Sequence, residues 1–202
     1  MGQAEALNVI SAFAASLRTA IAKAEGMPRG TQLPVMQSIS WPQEPLAKIT
    51  RQHAWLVNEV QEQILNSLGP GMHIVSTSAR GGGPFVGSGI AINYIDDAGK
   101  ETYHGGSLSE PKETNIDVAE LKAVLKTLTI VLDGELKAPT VSWTLFSESR
   151  AVLTALHNIF KELEHSDQGP SLAAHFICGA KYREVATDSR MVDQLAESAI
   201  RG

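Results

Sequence analysis

The spacing of apolar residues divides the chain near residue 71. Over its first 26 residues, Leu7, Ile10, Phe13, Leu17 and Ile21 recur every three or four positions, which predicts an amphipathic helix. A loop rich in Gly and Pro follows, "GMPRGTQLPVMQSISWPQEP". A second helical stripe joins Leu46, Ile49, Leu56, Val60, Ile64 and Leu68, and "GPG" at 69–71 stops it. Both stripes need a cover: each other, the rest of the chain, a second copy or a partner protein.

From residue 72 the pattern changes to short strands. "MHIVSTS", "PFVGSGIAINYI" and "ETYHGGSL" predict three in succession, with "DDAGK" as the turn between the last two. A helix over about 116–133 is expected to end at Asp133-Gly134. "TVSWTLFS" predicts a fourth strand and 149–165 a helix. "LAAHFICGA" predicts a fifth strand, and "DSRMVDQLAESAI" a closing helix. The order β-β-β-α-β-α-β-α asks for a meander followed by parallel crossovers. It predicts a mixed five-stranded α/β sheet with helices on its faces. Two parts result: a helical extension over 1–71 and an α/β domain over 72–202.

Composition narrows the function classes. The 202 residues are 43% hydrophobic and 19% charged, which describes a globular chain able to bury a core. No apolar run reaches the roughly 20 residues that a membrane span needs. The start has no basic leader, so the expectation is an intracellular protein, nuclear or cytoplasmic, and not a secreted one. Cys178 is the single cysteine, which excludes an internal disulfide; its apolar setting reads as a buried thiol. The net charge of −5 argues against strong non-specific nucleic-acid binding.

Four stretches carry chemistry. "IVSTSARGGGPFVGSGIAI" joins a strand to a Gly-rich second strand through Gly87, Gly89 and Ile90. Ala119, Glu120 and Leu121 open the first helix of the second part. Ser147, Glu148 and Ser149 end the fourth strand, with Ala151 and Leu153 behind them. Asp193, Leu195 and Ala196 lie on the last helix. In this order and spacing they resemble the type 1 ribonuclease H family over about 72–202. They look most like the versions attached to non-LTR retrotransposon reverse transcriptases, where a Trp-Pro segment such as "SWPQEP" also precedes the domain.

The resemblance implies two-metal hydrolysis of the RNA strand of an RNA–DNA hybrid, with Mg²⁺ or Mn²⁺ held by four carboxylates. Glu120, Glu148 and Asp193 match three of them, Glu148 in place of an aspartate. At the fourth position Ser76 stands where the family has Asp, with Thr77 and Ser78 beside it. The resemblance further predicts that Glu120, Glu148 and Asp193 converge on Ser76. The family's His in the loop before the last helix is missing from "KYREVATDS".

Among the other acids, Asp96 and Asp97 are explained by their turn; Asp117 suits the start of its helix, with a place near the Glu120 cluster as the alternative reading. "SARGGGPF" lacks the ending of a phosphate-binding loop and reads as a hairpin connection, from which Arg80 is placed to touch a nucleic-acid backbone. His73 reads as a packed or surface strand residue rather than a proton carrier. Lys112, Lys122 and Lys126 form one basic group, and Lys181, Arg183 and Arg190 another.

The departures fall on the metal site, whereas the apolar pattern survives. The leading expectation is a degenerate ribonuclease H-like domain that binds nucleic acid or a protein, with catalysis lost or weak. Two others stand beside it: an active metal-dependent endonuclease, and an adaptor that binds a protein or itself through residues 1–71.

Overall fold

The structure, a computed structural model, describes residues 3–25, 27, 68–136, 138, 142–147, 149–164, 177–178 and 187–201. The helical stripe expected from Leu46 to Leu68 lies outside them except for Leu68, and Glu148 lies outside them too. The elements are α1 (Gln3–Ala24), β1 (Met72–Gly81), β2 (Phe85–Ile95), β3 (Glu101–Pro111), α2 (Ile116–Leu132), β4 (Ser142–Ser147), α3 (Arg150–Glu164), β5 (Ile177–Cys178) and α4 (Thr187–Arg201).

The five strands form one sheet in the order β3-β2-β1-β4-β5. β1, β2 and β3 pair antiparallel, whereas β4 is parallel to β1 and β5 parallel to β4. This is the mixed five-stranded α/β sheet that the order of elements predicts. The turn between β2 and β3 closes as its residues predict. The Asp96 carboxylate accepts from the backbone N–H of Ala98 and of Lys100, each at 2.9 Å, and Gly99 takes a φ of 77°.

α2 begins where Asn115 caps it, its side chain accepting from the Asp117 N–H at 2.8 Å. It ends at Gly134, whose φ of 68° lets the N–H groups of Gly134 and Glu135 turn back to the carbonyls of Val131 and Ile130. Its inner side joins the main core of Val75, Ile90, Ile92 and Leu145 from the sheet with Val152 and Leu156 from α3.

α1 belongs to that same core. Ile10, Phe13, Leu17 and Ile21 are buried in the cluster that α2 and α3 complete. The stripe read from the sequence is therefore covered by the chain's own domain. α1 shares the hydrophobic core of the part expected to begin at 72.

The opposite face of the sheet holds α4, and it is built from small residues. A Cβ on Gly89 would enter the Val192 carbonyl, and one on Gly87 the Ala196 carbonyl oxygen. Glycine is needed here because the α4 backbone lies directly on β2. Ser109 donates to the Ala199 carbonyl at 2.6 Å and ties α4 to β3.

Candidate functional site

β1 is buried over seven consecutive residues, His73 to Ala79, because helices cover both of its faces. Successive side chains alternate between those faces. Val75 joins the main core and Ala79 packs with Ala119 of α2, so Thr77 also faces α2. Ser76, Ser78 and Arg80 face α4. The two matched acids among the described residues, Glu120 and Asp193, meet different members of this strand.

Glu120 is buried on α2, with 4% of its surface exposed. Its Oε1 accepts from Thr77 Oγ1 at 3.0 Å and from Ser147 Oγ at 2.6 Å. Thr77 and Ser147 are register partners on β1 and β4, which is why both hydroxyls reach one oxygen. Ser147 in turn accepts the Ser149 N–H at 3.0 Å. Ser149 donates to Asp117 Oδ1 at 3.0 Å and caps α3 by accepting from the Val152 N–H at 3.1 Å. Two acids one turn apart on α2 are thus bonded to the β4–α3 junction through two serines.

Asp193 lies on the other side of β1. Its Oδ1 accepts from Ser78 Oγ at 2.7 Å and from Arg80 Nη2 at 2.6 Å. The guanidinium and carboxylate are partly shielded, with side chains 29% and 21% exposed. Charge-assisted bonds of this length are among the stronger ones a fold contains.

These contacts place the described residues of the expected site as follows. The strand residue that meets Glu120 is Thr77, and Ser76, assigned the place of the missing aspartate, turns toward the α4 side. A one-residue step along a strand exchanges faces. Glu120 is met by Thr77 on the α2 face of β1, and Asp193 by Ser78 and Arg80 on its α4 face. Arg80, expected to face a nucleic-acid backbone, is bonded to Asp193. Asp117 bonds to Ser149. The sequence reading named Ser78, Ser147 and Ser149 within its motifs but gave them no role; that they bond the acids was signalled only by a run of hydroxyl residues at the ends of β1 and β4.

The described residues do not fit a divalent metal at these acids. No three of their His, Cys, Asp or Glu side chains gather. Hydroxyls occupy one oxygen of Glu120, and a fixed cation occupies Asp193. Magnesium asks for several hard oxygens in near-octahedral order, and neither acid is presented that way.

Two lysines of the first basic group are ion-paired. Lys122 lies 2.8 Å from Glu110 and 3.0 Å from Glu25, and Lys126 lies 3.6 Å from Glu135. Burial pulls the Lys122 amine down, but the hydrogen bonds from Glu110 and Glu25 outweigh it and hold the amine above its ordinary range. Lys181 and Arg183 lie outside the described residues.

His73 packs edge-on against Tyr94, with ring centroids 5.9 Å apart. Its ring nitrogens find no partner among the described residues, and burial lowers its pKa from 6.5 to about 4. It is a neutral core residue.

The chain is similar to several solved structures. LC9-RNase H1, a type 1 RNase H with the type 2 active-site motif, is 13% identical with a TM-score of 0.46, over 67% of this chain and 75% of that one. LC11-RNase H1, solved in complex with RNA/DNA hybrid, is 20% identical with a TM-score of 0.39, over 63% and 98%. RNase H1 from the halophilic archaeon Halobacterium salinarum is 14% identical with a TM-score of 0.39, over 65% and 98%. No family model and no curated protein matches the sequence.

Proposed function

We propose that this chain is a ribonuclease H-like domain that acts by binding, with cleavage of RNA–DNA hybrids lost, and that it descends from a domain attached to a retrotransposon reverse transcriptase. One observation carries the reading: on the face where two-metal chemistry needs a carboxylate beside Glu120, β1 presents the hydroxyl of Thr77, bonded to Glu120. A neutral hydroxyl brings no charge to a metal and is a poor magnesium ligand.

The net charge of −5 and the ion-paired lysines favour a protein partner over nucleic acid. The α1 stripe is already buried, so such a partner docks elsewhere than on that stripe.

End-labelled RNA–DNA hybrid is the deciding substrate, offered in Mg²⁺ and then in Mn²⁺ to the natural chain and to Glu120→Gln. No cleavage by either chain is the expected result. Cleavage by the natural chain that disappears in Glu120→Gln overturns the reading and makes the protein an enzyme. Salt-dependent retention of the hybrid without cleavage keeps loss of catalysis and replaces the protein partner by nucleic acid.

A further inference from the structure

The resemblance implies divalent cations, yet this chain supplies a cation of its own. Arg80 Nη2 stands 2.6 Å from Asp193 Oδ1 in a pair that links β1 to α4 across 113 positions of sequence. Ser78 donates to the same oxygen from the next β1 residue facing α4. A guanidinium stays charged at every pH a folded protein meets, so nothing short of physical eviction frees Asp193. A metal ion approaching that carboxylate would have to shed its water and displace both donors. It would then leave Arg80 beside a second positive charge.

Glu120, the other matched carboxylate among the described residues, offers no refuge. Glu120 is bonded by Thr77 and Ser147 on the α2 side of β1, away from Asp193. Each acid therefore serves as a hub that ties a helix to the sheet: Glu120 fastens α2 to β1 and β4, and Asp193 fastens α4 to β1. Hubs of this kind hold the fold together without an added ion.

We propose that Arg80 is the resident counter-cation of the domain, and that the chain neither needs nor takes up Mg²⁺ or Mn²⁺ at Glu120 and Asp193. This deepens the reading of lost cleavage and rests on it, but the two fail separately.

The test titrates the full chain with Mn²⁺ and reads the free ion by electron paramagnetic resonance. Thermal melts in EDTA and in excess Mg²⁺ accompany it, for the natural chain, Glu120→Gln, Asp193→Asn and Arg80→Gln. The natural chain is expected to leave the Mn²⁺ signal unchanged and to melt at one temperature in both buffers. Arg80→Gln and Asp193→Asn should each melt roughly 2–6 °C lower, and the double variant no lower than the sum of the two. Uptake of Mn²⁺ by the natural chain that is lost in Asp193→Asn or Glu120→Gln overturns the proposal. If that chain still leaves the hybrid intact, only the counter-cation idea falls; if it cleaves, both readings fall. Should Arg80→Gln not fold, the natural chain titrated beside Asp193→Asn and Glu120→Gln decides the matter.

Discussion

Thr77 donates its hydroxyl to Glu120 across 3.0 Å, joining the central strand to α2 inside the protein. The bond is charge-assisted and shielded from water, and Ser147 adds a second to the same oxygen at 2.6 Å. Removing one hydroxyl leaves part of the carboxylate's hydrogen bonding unmet, which costs about 1.5–3 kcal/mol.

Thr77→Val and Ser147→Ala should each lower unfolding stability by that amount, measured in urea. Because the two share one acceptor atom, their effects should not add. The double variant isolates the coupling, expected at about 0.5–3 kcal/mol.

Gly89 and Gly106 make opposite predictions on neighbouring strands. A Cβ on Gly89 enters the Val192 carbonyl, whereas one on Gly106 meets nothing within 4 Å. Gly89→Ala should force α4 off the sheet and cost about 1–3 kcal/mol or more, since backbone is slow to yield. Gly106→Ala should change stability by less than about 0.5 kcal/mol. Paired thermal melts separate the two.

Much of this architecture was legible because turn chemistry marks its borders. "DDAGK", Asn115 and Asp133-Gly134 each delimit an element, and β2, α2 and α4 fall within a few residues of their expected places. The fine structure of the site was not legible. Alternation of apolar and polar residues normally tells which face a strand residue takes. β1 is buried on both faces, so Ser76, Thr77 and Ser78 carry no such phase information. The role of Arg80 depends on a residue 113 positions away, beyond any local pattern. Likewise the α1 stripe announces that it needs a cover, without naming α2 as that cover.

Leu17 tests the placement of α1. It is fully buried in the core that α2 and α3 share. Leu17→Ala should therefore destabilise the whole domain by about 2–5 kcal/mol, in a single transition followed equally by near- and far-ultraviolet circular dichroism. A helix serving only as a docking arm would leave the main transition in place.

His73 makes the fold sensitive to acid. Its imidazole is buried against Tyr94 and its pKa falls from 6.5 to about 4. The unfolded chain takes up a proton near pH 6.5 that the folded chain refuses until near pH 4. The stability His73 contributes is therefore complete above pH 6.5 and drains away as the pH falls through that window. The slope approaches 1.36 kcal/mol per pH unit, which sums to roughly 3 kcal/mol by pH 4. His73→Phe keeps a ring in the space beside Tyr94 and removes the titrating group. Urea unfolding at pH 7 and at pH 4.5 should show the natural chain losing stability faster than His73→Phe, with the difference confined to that window. Equal losses in the two chains would mean that the acid sensitivity resides in the carboxylates and not in this histidine.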